Sequence, residues 1–403
     1  ATLACSWDDT VSEAMGAVVG RDAANQKVDV LLAPGLNTKR SSLCGRSFEY
    51  YSEDPYLSGK LAAGFIRGAQ KQGVSACAKH YAANAQELLR MHSDSVMDER
   101  TLREMYLTNF EIAIKEGKPG FVMTAYNRVN GVYANESRHL LGDILRGEWG
   151  FDGAVVTDWG GSNSIVEGVR EGMNLEMPAA GDDSPCQLVK AVKDGTIDEK
   201  IVDERVDQLL DFVLAEHKSG ESSFDAAKQH QAAEAAAEKC LVLLKNDEHL
   251  LPLKKDARVA VIGEFAARSR YQGAGSSMVN AAQVDDTLPM LDEFFPARVG
   301  FAQGFERLDA PNDALADEAV QLAKTADCAV VYLGLPECFE TEGLDRTHMR
   351  LPENQIALMK KLRAVCKKMV VVLSCGSAVE TDWAQDCDAL LYAGLGGEAV
   401  ARS

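Results

Sequence analysis

No stretch of this sequence holds the roughly eighteen uninterrupted apolar residues that a membrane span needs. The longest apolar runs, such as Met369–Leu373, have the length of a strand. Positive charge is in short supply. Against 61 Asp and Glu stand 42 Lys and Arg, a formal net charge of −19. A surface that negative repels phosphate backbones and anionic lipid, so neither nucleic acid nor a membrane is an expected partner. No C-x-x-C pair occurs. The ten cysteines, at positions 5, 44, 77, 186, 240, 328, 338, 366, 375 and 387, mostly sit inside apolar runs. That placement predicts buried, reduced thiols in a reducing compartment rather than disulfides. The opening ATLACSWDDT lacks the basic region and apolar core of a signal peptide, which makes a cytoplasmic location the expectation. H-E-x-x-H, a spaced Cys/His set and an EF-hand loop are all missing, so no metal is expected. G-x-S-x-G is missing too. The glycines of YQGAGSS, Gly273 and Gly275, lack the GK[ST] of a P-loop, and no cofactor is expected. They read as an adaptable loop between domains.

What remains is ample. The chain has 403 residues, 46 % of them hydrophobic and 26 % charged. That is enough apolar material for a sizeable core and enough length for two or three domains. The first half alternates short β-rich runs with helical patterns. Strands are predicted at Asp29–Ala33, Ala76–Tyr81, Gly120–Tyr126, Ala154–Thr157 and Asn174–Met177. A helix is predicted over Glu99–Lys115, with Leu102, Met105, Tyr106, Phe110 and Ala113 on one face and Asp98 as its N-cap. Strands separated by helices imply parallel pairing through right-handed crossovers. A long helix is expected at Asp198–His217, turning Ile201, Val206, Leu209, Leu210, Val213 and Leu214 inward. The polar stretch at 218–230 reads as the start of a linker. Beyond it, strands are predicted at Arg258–Ile262, Cys328–Leu333, Met369–Ser374 and Ala389–Ala393. Helices at Asp313–Thr325 and Glu353–Lys367 would separate the first three, giving a second, doubly wound α/β domain.

Polar residues cluster just after these strands, where an α/β barrel places its active site. In AVVTDWGG a β-branched strand delivers Asp158 at its carboxyl end, with Trp159 beside it as a flat apolar wall for a sugar ring. The same aspartate could equally cap the next helix. ACAKHYAANAQE places Lys79 and His80 at a second strand end. Adjacent side chains point to opposite faces of a regular strand, so both reach one site only where the strand breaks into a loop. Tyr126 in MTAYNRVNG ends a third strand. Arg46, in LCGRSFEYYSEDP, could fork onto vicinal hydroxyls or pair with Glu53 or Asp54. In the second domain GLPECFETEGLDR offers Glu340, Glu342 and Asp345 beyond a strand's carboxyl end. An acidic loop is commonly just solvated. Opposite another carboxylate, though, it would complete the pair that glycosidic bond hydrolysis requires.

These segments together resemble glycoside hydrolase family 3, in its β-glucosidase branch. The matching motifs are LLAPGLN, CGRSFEYYSEDP, AKHYAANAQE, MDERTLREMYL, VMTAYNRVNG, ILRGEWGFDGAVVTDWG and LEMP, then LVLLKNDEHLLPL, VAVIGE, YQGAGSS and ETEGLDRTHMRLPENQ. The resemblance implies an α/β fold: a (β/α)8-like barrel, incomplete at its N-terminus, followed by an α/β sandwich domain with a mostly parallel sheet. The expected divisions are 1–217 for the barrel, 218–255 for a linker and connecting helix, and 256–403 for a sandwich truncated at its C-terminus. The family's first barrel strand carries D-G-P-x-G-x-R, which does not occur here.

The resemblance also assigns roles. Asp158 would be the nucleophile of a retaining β-glucosidase. Glu342 would be the acid/base, with Glu340 as the fallback. Arg46, Lys79, His80 and Tyr126 would bind sugar hydroxyls, and Trp159 would line the pocket. Asp158 must be ionised to attack, and Lys79 and Arg46 nearby would favour that state. The expected partner is a small β-glucoside or oligosaccharide, with a homo-oligomer left open. The alternatives are a β-xylosidase or α-arabinofuranosidase of the same fold, or an inactive carbohydrate-binding remnant. The family's N-acetylglucosaminidases take their acid/base from a glycine-flanked His after the KH pair; YAANAQE stands there instead.

Overall fold

The computed structural model describes residues 1–214 and 224–403. Contacts divide the chain into two units. The first comprises Trp7–Ser41 and Tyr50–Ala226; the second comprises Ala1–Ser6, Ser42–Glu49 and Ala227–Ser403.

The first unit is built on a parallel sheet whose four strands lie in chain order: β1 (Val30–Leu31), β2 (Ser75–Tyr81), β3 (Phe121–Thr124) and β4 (Ala154–Val156). The predicted fifth strand at 174–177 is reduced to a bridge between Leu175 and Val156. Between β1 and β2 runs helix α2 (Pro55–Gln70), which packs on α1 (Asp9–Asn25). Helix α2 starts on Asp54, whose carboxylate accepts from the N–H groups of Tyr56 and Leu57, with proline in the first turn where no donor is needed. The helix over 99–117 is capped as predicted, by Asp98 accepting from Thr101 N–H at 2.7 Å. Its interior differs from the prediction. Leu102, Phe110 and Ala113 are buried, but Met105 is 40 % exposed and Leu107 takes its place in the core. The cause is that Leu102–Leu107 and Ala113–Gly117 are wound as π-helix, which shifts the face away from the 3.6-residue period.

The predicted helix at 198–217 is helix α5 (Glu199–Leu214), coming after α3 (Ile165–Glu171) and α4 (Asp183–Lys193). Residues 215–217 and the first part of the 218–230 linker lie outside the described residues. The face expected inward is largely open. Val206, Leu210, Val213 and Leu214 are exposed. Among the described residues of this helix, Leu209 and Phe212 reach the sheet, packing with Cys77, Phe121 and Val156. Val213 instead borders a cavity of about 750 Å³ beside Val30, Leu32 and Met177.

The second unit carries a six-stranded sheet. Its strands are β5 (Val242–Asn246), β6 (Val259–Ile262), β7 (Gly300–Ala302), β8 (Cys328–Gly334), β9 (Met369–Ser374) and β10 (Ala389–Tyr392), in the order β7-β6-β8-β9-β10-β5. Five strands are parallel and β5 is antiparallel to β10. The predicted helices are present as α8 (Asp313–Ala323) and α9 (Glu353–Arg363). They follow α6 (Ala226–Cys240), which begins inside the stretch read as linker, and α7 (Thr287–Phe294). Leu358, Met359 and Leu362 of α9 are fully buried against the sheet. Burial of each contributes about 1.5–3 kcal/mol. Gln355, also buried, clamps the end of β8 through Gly334 O at 2.9 Å and Gly334 N–H at 3.0 Å. From β6 the chain goes first to β7 on one side and then to β8 on the other. Winding therefore reverses at β6, and the loops after β6 and β8 flank the switch point where open α/β sheets bind ligands. The two-domain α/β architecture is as expected, with seven of the ten cysteines buried.

One ionic cluster ties remote parts of the second unit together. His230 on α6 meets Asp285 Oδ2 at 2.7 Å and Glu398 Oε1 at 3.1 Å, while Arg402 lies 3.7 Å from Asp285. Burial opposes the imidazolium, but the two carboxylates outweigh it and raise the His230 pKa above its ordinary value. Asp285 is also opposed by burial, yet His230 holds it below the usual carboxylate range. A raised histidine contributes stability that is complete below about pH 6.5 and lost as pH climbs through its folded value. A lowered aspartate contributes above about pH 4 and fails as pH falls through its folded value. We expect His230→Gln to melt below the parent at about pH 6 and the gap to narrow as pH rises through the raised folded value of His230. Thermal melts across that range measure it.

Candidate active site

Parallel pairing brings three of the singled-out strand ends to one edge. Lys79, Met123 and Val156 stand side by side in the registers of β2, β3 and β4. Beyond β4 the turn is pinned by Thr157. Its N–H donates to Leu175 O at 3.1 Å, and its hydroxyl accepts from Met177 N–H at 2.8 Å. Gly160 N–H donates to Met177 O at 2.7 Å. Asp158 is thereby fixed, 7 % exposed, with Oδ1 accepting its neighbour Trp159's N–H at 2.7 Å. Its other oxygen lies 3.5 Å from His80 Nε2. Asp158 does not cap the next helix: Ser164 caps α3, accepting from Glu167 N–H. Trp159 is 62 % exposed, an unusual state for so large an apolar side chain.

His80 is held from several sides. Asn37 accepts its backbone N–H at 2.8 Å and donates to its carbonyl at 2.7 Å. The Tyr50 hydroxyl sits 3.3 Å from Nδ1. The same nitrogen lies 3.3 Å from the Asn37 side-chain oxygen, and Nε2 is the ring nitrogen that faces Asp158. The register slips between Lys79 and Tyr81, the strand break that two adjacent functional side chains require. Lys79 and Asp158 both act on the buried Cys77 thiol. Burial pushes it up to about 12, with Lys79 pulling down and Asp158 pushing up. Tyr126 is 4 % exposed and donates its hydroxyl proton to Trp159 O at 2.9 Å. The Arg90 guanidinium lies 4.7 Å over the Tyr126 ring and pairs with buried Glu87 at 2.8 Å. So Lys79, His80, Tyr126, Asp158 and Trp159 gather at this edge of the first unit.

Arg46 and Glu342 come together in the second unit. Arg46, 1 % exposed, sits in the turn Gly45–Phe48, bonds Glu49 at 2.7 Å and lies 3.7 Å from Glu342. Gly45 makes this possible: a Cβ on it would stand 1.8 Å from Leu344 O, so only glycine lets the acidic loop lie against the turn. Asp345 accepts Gly45 N–H at 3.1 Å.

The loop's two glutamates differ in kind. Glu340 is 0 % exposed, accepts Gly376 N–H at 2.7 Å and pairs with Arg270 at 3.3 Å. Burial raises its pKa above the carboxylate range, with Arg270 pulling the other way. A raised pKa suits a proton donor, but a donor must also reach the leaving oxygen, and Glu340 is sealed in. Glu342 keeps 16 % of its side chain exposed.

The family profiles decide the relationship. The glycosyl hydrolase family 3 N-terminal domain matches residues 1–212, and the family 3 C-terminal domain matches 241–403. The chain belongs to glycosyl hydrolase family 3. Thermostable beta-glucosidase B of Acetivibrio thermocellus is 45 % identical, aligned over 99 % of this chain and 54 % of its own length. An exo-alpha-(1->6)-L-arabinopyranosidase of Bifidobacterium longum is 40 % identical over 99 % of this chain and 54 % of its own. A solved beta-glucosidase from Bifidobacterium adolescentis superposes with a TM-score of 0.95 at 40 % identity, over 100 % of this chain and 60 % of that one. The chain spans about half the length of the curated relatives it matches.

The sequence of this family 3 chain carries no local signal for Asn37, Glu87 and Arg90. Asn37 lies in LLAPGLN, a motif that does not by itself give the asparagine a role. Glu87 and Arg90 are three apart, a spacing that by itself reads as surface pairing. Replacing Asn37 by Ala should strand the His80 N–H and carbonyl in the interior. We expect a loss of about 1–3 kcal/mol in urea unfolding.

Proposed function

We propose that this chain performs retaining hydrolysis of terminal β-D-glucose from β-glucosides. In our reading Asp158 is the nucleophile and Glu342 the acid/base. Asp158 attacks the anomeric carbon as the glycosidic C–O bond breaks, and Glu342 passes its proton to the leaving oxygen. Glu342 then takes a proton from water, whose oxygen displaces Asp158 and restores the enzyme. The observation that carries this reading is the placing of Asp158: a carboxylate locked by Thr157, faced by His80, beside an exposed indole, at the carboxyl edge of a parallel sheet. Support for Glu342 over Glu340 comes from exposure, 16 % against 0 %. Lys79, His80, Tyr126 and Arg46 would bind the hydroxyls, and Trp159 would stack on the sugar. We further take 1–217 as a (β/α)8-like barrel domain, 218–255 as linker and connecting helix, and 256–403 as the sandwich domain. Buried free thiols such as Cys77, Cys328 and Cys366 favour a reducing, cytoplasmic setting. The substrate would be a small β-glucoside or oligosaccharide. The arabinopyranosidase among the relatives supports a second reading, a pentoside substrate on the same machinery.

Asp158→Ala should lower release of nitrophenol from p-nitrophenyl β-glucoside by at least about a thousandfold. Activity within a few-fold of the parent would end this reading. Glu342→Gln should cost about 10²–10⁴ on alkyl glucosides and far less on dinitrophenyl glucoside, whose leaving group needs no proton. A parallel panel of xyloside and arabinoside substrates separates the two sugar readings.

A further inference from the structure

Glu342 does not hang from its loop into solvent. The loop after β6 and the loop after β8 meet through a short parallel bridge between Ala274 and Thr341. Ala274 N–H donates to Glu340 O at 2.9 Å, and Glu342 N–H donates to Ala274 O at 3.1 Å. Next along, Ser276 donates twice to one carboxylate oxygen of Glu342. Its backbone N–H reaches Oε2 at 2.9 Å, and its hydroxyl bonds the same atom. The other oxygen faces Arg46 at 3.7 Å. Gly275 is shaped for this approach. Its φ is +107°, and a Cβ there would lie 2.4 Å from Glu342 Cβ.

Donors aimed at a carboxylate favour its ionised form. A general acid in the first chemical step must instead carry a proton. The arrangement seen here therefore holds the acid/base in the wrong state for that step and the right state for the second, when it must take a proton from water. We propose that Ser276 is a positioning residue that docks Glu342 as a carboxylate, and that leaving this dock, with a proton taken up from solvent, is what arms it as an acid. The inference rests on the reading of Glu342 as acid/base, and gives the YQGAGSS loop a chemical task.

The test is a ¹³C NMR titration of the Glu342 carboxyl in protein labelled at glutamate, with the resonance assigned by its loss in Glu342→Gln. Ser276→Ala removes the hydroxyl and keeps the backbone donor, so the titration midpoint should rise by about one pH unit. Ser276→Thr, which keeps a hydroxyl, should hold the midpoint within about 0.3 unit of the parent. The alkaline limb of kcat/KM on p-nitrophenyl β-glucoside should move up with the midpoint in Ser276→Ala alone. A midpoint unmoved in Ser276→Ala, or moved equally in both variants, overturns the proposal. Should Ser276→Ala fold poorly by circular dichroism, Gly275→Ala serves, since its Cβ must push Glu342 away and raise the midpoint likewise. The titration is read without turnover. An inactive parent, or an Asp158→Ala protein that still hydrolyses, would defeat the proposed function and leave the Ser276 result to be judged separately.

Discussion

Parallel hydrogen bonding between β2, β3 and β4 is the constraint from which the candidate site follows. Parallel strands all end on the same edge, so whatever follows each strand emerges beside its neighbours. His80, Tyr126 and Asp158 are far apart in sequence and neighbours in space for that reason alone. The remaining work is done by short polar ties. Thr157 fastens one turn, Asn37 another, and the Tyr126 hydroxyl closes the gap to Trp159. Each tie uses a backbone group, fully buried at Asn37 and partly buried at Thr157 and Tyr126, so orientation and stability share the same bonds.

Much of this could be read from the residues. The β-branched runs at 154–156, 328–334 and 369–374 are unmistakable, and the chemistry-bearing residues sit directly after such runs. Other parts were hidden for physical reasons. Strand β5 lies in a stretch read as linker, and its burial follows no alternation, which erases the period-two signal. Strand β7 has only three residues. Met105 was misplaced because π-turns carry no distinct sequence mark. Helix α5 shows an apolar stripe, yet a stripe states only that a face prefers burial, not what covers it. The contact between Ser276 and Glu342 spans 66 positions, with no local pattern to announce it. The family resemblance implies a role for Glu342 but is silent on the serine bonded to it.

The two glutamates of the ETEG loop show how one short segment serves two ends. Glu340 is spent on architecture. Its oxygens bind Arg270 and the Gly376 N–H, joining the loop after β6, the loop after β8 and the loop after β9. Removing one partner of so buried a pair is far more costly than removing an exposed one. With that anchor set two residues away, the Glu342 backbone stays in register with Ala274.

The membership of residues 42–49 has a consequence for how the chain acquires its form. These eight residues pack with Ala227–Ser403, yet they are synthesised long before that stretch exists. The backbone passes from one unit to the other at 6/7, 41/42, 49/50 and 226/227. The turn bearing Arg46 must therefore wait on the ribosome, tethered at both ends to a forming neighbour, until the loop carrying Leu344 and Asp345 has emerged. Contacts so distant along the chain are slow to close. The order of synthesis thus lets Arg46 meet its acidic partner only once the loop carrying Glu342 has been made.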